Sequence, residues 1–317
     1  MVWVEPDIRD WIVGEVQILH GKTELSLSQL IGWLGIRRSK YYDWAQHVGE
    51  PWHCSNSIPR QHWLLPEERR AILDYARSHP GQGYRRLTYM MLDENIVAVS
   101  PSSTYRILSE EGLLKRWNSK KTTKKGKGFH QPDAPHQHWH TDIKYVNFHG
   151  TFLFLMCVID GYSRFIVHHE LRTSMQEYDV QITLQRALEK YPGVHPRMIT
   201  DNGPQYIAKD FAEFIRFKGL QHVRTSPAYP QSNGKIERFH ATINQECLQR
   251  QSLINLEDAR RQIASYIDYY NTKRLHSAIW YLTPEEVLNG KMTERLQERK
   301  EKLDVAAEHR KNLQRAA

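Results

Sequence analysis

The strongest constraint in this sequence is a change of texture near residue 138. Upstream, apolar residues recur at helical spacing between glycine and proline breaks. Downstream, His138 to Phe148, Thr151 to Ile159 and Arg164 to Leu171 are rich in β-branched and aromatic residues, with His149-Gly150 and Gly161-Tyr162-Ser163 as turns between them. Met175 to Lys190 reads as a helix, Arg197 to Thr200 as a short strand, Ala208 to Lys218 as a helix and Leu220 to Arg224 as a strand. The loop Ser226 to Ser232 then leads into a helix from about Asn233 to Leu248. Three strands followed by helix, strand, helix and strand predict an α/β domain built on a mixed sheet.

That order is the one expected of an RNase H-like fold, a mixed sheet flanked by helices, here preceded by small all-α helix-turn-helix units. In residues 1–60, Leu27, Leu30, Ile31 and Leu34 keep helical spacing, Gly35 breaks it, and Arg37-Arg38-Ser39-Lys40-Tyr41-Tyr42 follows. Helix, glycine turn and basic helix is a helix-turn-helix arrangement whose Arg37, Arg38 and Lys40 could meet DNA. A helical hairpin with a solvated basic face fits the same pattern. A second helical unit occupies 64–114. Pro66 with Glu67-Glu68 starts its first helix and His79-Pro80-Gly81 ends it; Ser100-Pro101 starts its last and Gly112 stops it. Arg85, Arg86 and Arg106 are candidates for phosphate contact or ordinary surface arginines.

Lys115 to Gly128 holds seven Lys/Arg and no acid. Residues 115–134 therefore read as a basic linker whose Lys124, Lys125 and Lys127 could follow a DNA backbone. The α/β core spans 135–290. In 291–317, Glu, Arg and Lys alternate around sparse Leu296, Leu303 and Leu313, which predicts a long charged, solvated helix, with a self-association helix on a weak heptad as the alternative.

With 317 residues, 40% of them hydrophobic and 11% aromatic, the chain can bury a sizeable core. A net charge of +8 suits a polyanionic partner without proving one. Cys54, Cys157 and Cys247 are far apart with no CxxC pairing, which argues against a disulfide framework or a cysteine-rich zinc finger. The longest apolar run, Phe152 to Ile159, is eight residues, too short to cross a bilayer, and no signal peptide is evident. A bacterial cytoplasmic protein, nucleoid-associated when bound to DNA, is the expectation, with no membrane partner.

Cutting a phosphodiester without a covalent intermediate requires an activated attacking oxygen and a stabilised leaving oxygen. Two hard cations about 3.5–4 Å apart can do both. Mg²⁺ prefers carboxylate oxygens and keeps several waters, so a few acids suffice. Asp142 falls in the first strand, Asp201 ends a short apolar strand before Asn202-Gly203, and Glu237 sits in the first turn of the helix after the 226–232 loop. Taken singly, each is more often a surface carboxylate or a cap.

Their surroundings carry a resemblance. Thr200-Asp201-Asn202-Gly203-Pro204-Gln205-Tyr206 resembles the segment around the second acid of retroviral integrases and insertion-sequence transposases. Ser226-Pro227-Ala228-Tyr229-Pro230-Gln231-Ser232-Asn233-Gly234-Lys235-Ile236-Glu237-Arg238-Phe239 resembles that around the third, and 35 residues separate Asp201 from Glu237, the spacing of the D,D-35-E group. Trp139-His140-Thr141-Asp142 and Asp160-Gly161-Tyr162-Ser163-Arg164 look like the first acid and the strands after it. Tyr270-Asn271, Arg274-Leu275-His276-Ser277 and Thr283-Pro284-Glu285-Glu286 resemble the end of the same domain. The match covers about Trp139 to Leu288. The upstream helices are similar, less specifically, to the second-frame (OrfB-type) protein of IS3-family transposases. Asn202 follows the integrase-like version where many IS3 relatives carry arginine, which leaves the subgroup open.

The resemblance implies a DDE transposase, a polynucleotidyl transferase for DNA transposition and integration. Asp142, Asp201 and Glu237 would hold two Mg²⁺ or Mn²⁺. It also implies double-stranded DNA as partner, both element ends and target, homo-oligomers on DNA, and an upstream-frame (OrfA-type) partner. No zipper is visible before Asp142, and the paired His/Cys zinc domain of retroviral integrases is missing. Near the third acid, Lys235, Arg238, Tyr229, Gln231 and Asn233 are candidates for DNA contact. His140, on the strand face of Asp142, Asn202 and His240 are candidates for supporting the acids. An inactive remnant acting as a DNA-binding regulator and an RNase H-type nuclease are the rival readings.

Overall fold

The computed structural model describes residues 4–49, 63–114, 131–225 and 233–316. Lys124, Lys125, Lys127, Tyr229 and Gln231 lie outside the described residues. The chain forms two compact units, one of the N-terminal helices up to Trp63 with the last residues from Lys311, the other spanning Leu64–Arg310.

In the first unit, α1 (Pro6–Lys22), α2 (Leu27–Trp33) and α3 (Arg38–Gln46) close on Val13, Val16, Leu30, Ile31, Tyr41 and Trp44. Ser26 and Gln29 cap α2 reciprocally. The break before α3 falls at Gly35, whose φ of 68° favours glycine. Arg37 and Arg38 are exposed, and the Lys40 ammonium lies 5.7 Å from the Trp44 ring centroid.

The second unit begins with α4 (Pro66–Ser78), α5 (Tyr84–Asp93) and α6 (Pro101–Glu110), packed around Ile72, Leu87, Met91, Ile107 and Leu108. Pro66 and Pro101 occupy first-turn positions, and Ser100 Oγ accepts from the Ser103 amide. The sheet follows: β1 (His138–Phe148), β2 (Thr151–Asp160), β3 (Ile166–Arg172), then α7 (Glu177–Lys190), β4 (Arg197–Thr200), α8 (Pro204–Ile207), α9 (Lys209–Phe217) and β5 (Gln221–Arg224). Next come α10 (Gly234–Ile243), running into a π-helical turn at Asn244–Leu248, then α11 (Leu256–Thr272), α12 (Pro284–Leu288) and α13 (Met292–Ala316).

The sheet order is β3-β2-β1-β4-β5. β1, β2 and β3 pair antiparallel, whereas β4 is parallel to both β1 and β5. This is an RNase H-like mixed sheet. His149 and Gly150, at φ 47° and 82°, make the two-residue turn that closes the β1–β2 hairpin. On β2, Leu153, Leu155, Cys157 and Ile159 face α10 and α11, while Met156 and Val158 join the core under α7 and α9. Burial on both faces explains the unbroken apolar sequence from Leu155 to Ile159.

The C-terminal helix departs from the solvated helix expected of its charge pattern. Arg299 is 3% exposed: it donates to both Asp93 carboxylate oxygens at 2.9 and 2.6 Å and to the Trp280 and Tyr281 carbonyls at 3.0 and 2.7 Å, and stacks 4.8 Å from the Tyr89 centroid. Arg310, also buried, reaches Glu68 at 2.8 Å and the Ala98 carbonyl at 3.1 Å. These arginines join α13 to α4, α5 and the segment after α11. Apolar periodicity could not reveal this, because guanidiniums rather than leucines make the buried contacts.

Candidate active site

Asp142 lies in mid-β1 and Asp201 just beyond β4. The parallel register pairs Trp139 with Met198 and His140 with Ile199, and continuing it by two residues sets Asp142 beside Asp201. Trp139 and Met198 belong to the α7-side core, so alternation turns Asp142 and Asp201 toward the α10 side. Each carboxylate also accepts from a nearby backbone amide. Asp142 Oδ1 accepts from the Ile143 amide at 2.8 Å, and Asp201 Oδ1 from the Gly203 amide at 3.0 Å. Asn202, exposed, donates to the Thr225 carbonyl at 2.7 Å and ties this segment to the end of β5.

The two acids share a cleft of about 560 Å³ with Ile143, Tyr145, Met175, Gln176, Glu177, Gly203, Pro204, Gln205 and Ala208. Burial raises the Asp201 carboxyl above the usual aspartate range, and the Asp142 charge pushes it further the same way. Two carboxylates placed to repel each other fit a hard divalent cation that keeps part of its water shell. They do not fit a zinc cage, and among the described residues no three His, Cys, Asp or Glu side chains are grouped for a metal ion.

Glu237 is therefore not gathered with the pair. It stands exposed in the first turn of α10. His240, one turn further on, is buried with Nδ1 3.5 Å from Asp142 Oδ2. Residues three apart share a helix side, so the side of α10 that carries Glu237 is the one that reaches Asp142. Ile236, Phe239 and Ile243 anchor the helix in the core.

Three sequence candidates are partly or fully buried. Lys235 does not stand free for phosphate: its Nζ donates to the Gly161 carbonyl at 2.8 Å, and burial, followed by the Arg164 charge, lowers it to about 7. Asn233 is buried at 3% exposure. His140 is fully buried and packed so closely on Gly161 that a Cβ there would meet its Nε2 at 3.0 Å. Burial lowers it to about 3, with Lys235 and Arg164 adding to the effect, so it stays neutral. Arg238 is exposed beside Glu237. Of the upstream arginines, Arg85 is exposed, whereas Arg86 bonds Gln82 at 2.7 Å and lies 4.0 Å from Glu246.

The motif residues missing from the candidate site are structural. Asp160 accepts from the His136, Tyr162 and Ser163 amides and the Ser163 hydroxyl, fixing the β2–β3 turn. Asn271 accepts from the Ile166 amide at 2.8 Å and donates to its carbonyl at 3.1 Å. Arg274 grips Glu246 with two bonds of 2.8 and 2.7 Å. Conversely, the cleft residues Tyr145, Met175 and Gln176 had no local signal, because strand packing alone brings them to the acids.

A mixed sheet with paired acids where its parallel strand joins has the chemistry to hold a hard divalent cation beside a phosphodiester. Family models described as integrase core domain match residues 132–230 and 218–284. The chain is 29% identical to the transposase for insertion sequence element IS904 of Lactococcus lactis, over 70% of this chain and 92% of that one. It is 24% identical to the transposase InsF for insertion sequence IS3A of Escherichia coli K12, over 84% of this chain and 96% of that one. Among solved structures, the simian T-cell lymphotropic virus intasome in complex with a PP2A regulatory subunit matches at 16% identity and a TM-score of 0.46, covering 69% of this chain and 74% of that one. These integrase core models and insertion-sequence transposase relatives together support an IS3-family DDE transposase. No helix among the described residues is long and apolar enough to cross a membrane.

Proposed function

We propose that this transposase cuts and joins DNA strands at the edge formed by Asp142 and Asp201, with Glu237 as the third acid. The observation that carries the reading is the juxtaposition of Asp142 and Asp201 on neighbouring parallel strands in one cleft, with Asp201 raised by burial and by its neighbour's charge. Asp142, Asp201 and Glu237 would hold the divalent ions, two Mg²⁺ or Mn²⁺. When bound, these neutralise phosphate charge, activate the attacking oxygen and stabilise the leaving one. The chain's own part is positional. The Ile143 and Gly203 amides orient the two carboxylates, and His240 abuts Asp142 from α10. Cleavage breaks a P–O bond by attack of water and frees a 3′-OH. Joining breaks a second P–O bond by attack of that 3′-OH, and the departing oxygen takes up a proton.

Arg238 supplies an exposed cation next to Glu237, and the basic residues before β1 lend salt-dependent affinity for duplex DNA. Pairing of two DNA ends by an oligomer, and an OrfA-type partner, belong to the same reading. The test incubates full-length protein and Mg²⁺ with labelled duplexes matching the element's ends. Asp142→Asn, Asp201→Asn and Glu237→Gln are each expected to lower cleavage at least a hundredfold with the melting temperature preserved. Full activity in Asp201→Asn would sink the assignment.

A further inference from the structure

The cleft that holds the acids has a second wall with no part in holding metal. Tyr145 lies three residues after Asp142 on β1, about 10 Å along the strand, so alternation turns it to the α7 side while Asp142 faces α10; both line the cleft because β1 has an open edge past the end of β4. Tyr145 is 52% exposed and hydrogen-bonds Met175 Sδ at 3.1 Å. Its ring meets Phe154 edge-on at 5.2 Å and Phe152 at 5.9 Å, and Phe152 is itself 52% exposed. Ile143, Pro204 and Ala208 extend the apolar wall toward the acids. The charged side chains lining the cleft are Asp142, Asp201 and Glu177, all acidic, so this surface repels backbone phosphate wherever no cation intervenes.

We infer that the Tyr145–Met175 wall is a stacking platform for an unpaired nucleobase of the DNA strand being processed. A base is the uncharged, planar part of the polymer, and it can approach an acidic cleft that turns phosphate away. Base–aromatic contact is tolerant of sequence and needs only an open π-face, and Tyr145 is held in place by Phe154, Phe152 and Met175. The inference rests on reading Asp142 and Asp201 as the strand-cutting site. It assigns that site a contact with the strand next to the reacting phosphodiester.

The experiment binds full-length protein to a single-stranded oligonucleotide carrying one 2-aminopurine, whose fluorescence is quenched by stacking, in Mg²⁺. Wild type is expected to quench. Tyr145→Ala is expected to abolish the quench and weaken binding about five- to a hundredfold, while Tyr145→Phe retains both. Met175→Ala, at a half-exposed position, gives a second variant should Tyr145→Ala fold poorly; it is expected to reduce the quench in part. An unchanged quench in both Tyr145→Ala and Met175→Ala overturns the platform. So does a change of oligomeric state in Tyr145→Ala with the quench intact, which would make this face a contact between copies. Asp201→Asn is expected to stop cleavage yet keep the quench, so failure of the platform and failure of the acid assignment give different results.

Discussion

Arg299→Ala tests how the charged C-terminal helix is held. The substitution removes five contacts at once: two bonds to Asp93, two to the Trp280 and Tyr281 carbonyls, and the stack on Tyr89. Removing one member of a buried ion pair costs about 3–5 kcal/mol, since the remaining charge is left without its partner. Here Asp93 keeps Arg295 at 3.4 Å, which places the expected loss near the lower end, about 3 kcal/mol. For a unit of this size each kcal/mol shifts the melting temperature by about 2–4 °C, so a drop of roughly 6–12 °C is expected. Arg299→Lys should recover only part of it, because an ammonium cannot serve the carboxylate fork and both carbonyls together. The assay is urea denaturation alongside amide exchange at the end of α5. Asp93→Ala with Arg299→Ala completes a cycle expected to show about 1–3 kcal/mol of coupling. A loss below about 1 kcal/mol for Arg299→Ala, with unchanged exchange in α5, would refute the docking argument.

Two further outcomes follow from buried polar groups. His140 at about 3 and His276 at about 2 are held, mainly by burial, far below the 6.5 of an unfolded histidine. Their folded pKa values are depressed, so their contribution is complete above pH 6.5 and is lost as pH falls below it, when only the unfolded chain takes up protons. Each costs up to about 1.4 kcal/mol per pH unit below 6.5, so urea titration should show this pair losing roughly 2.5 kcal/mol between pH 7 and pH 5.5; His169, lowered mainly by burial to about 4, adds to the loss, and His276→Gln should reduce the slope. The Asp179 and Glu246 carboxyls, both lowered, add losses only below their ordinary range, so a flat profile between pH 7 and 5.5 would count against the histidine reading. Asn271→Ala leaves the Ile166 amide and carbonyl without their partner and should cost about 2–3 kcal/mol with no change in the cleft. If Asn271→Ala denatures at the wild-type urea midpoint, that bridge is dispensable.

Much of the core was readable because its signals are local. Strand segments carry β-branched and aromatic residues, and His149-Gly150 marks the hairpin turn by its own backbone needs. Ser100-Pro101 starts a helix where the sequence places it. The acids were legible through flanking motifs and the 35-residue spacing, features that stay within one stretch of chain. The surroundings of Lys235 and Asn233 are not legible in the sequence for the opposite reason. Both are polar and next to Glu237, yet whether such a side chain meets solvent or the Gly161 carbonyl depends on the β2–β3 turn, more than 70 residues away.

The sequence alone determined the element order, the mixed α/β class and the three acids at their spacing, since these follow from periodicity, turn chemistry and motif. Tertiary structure decided the rest. Parallel pairing of β1 with β4 brought Asp142 beside Asp201, and the same packing placed Tyr145 and Met175 at the rim of their cleft. It also turned a helix that reads as solvated into one fixed by buried arginines. The physical reason is common to all three. Pattern along a chain records which faces are apolar, whereas charge pairing and strand register depend on partners distant in sequence, and only the folded chain supplies them.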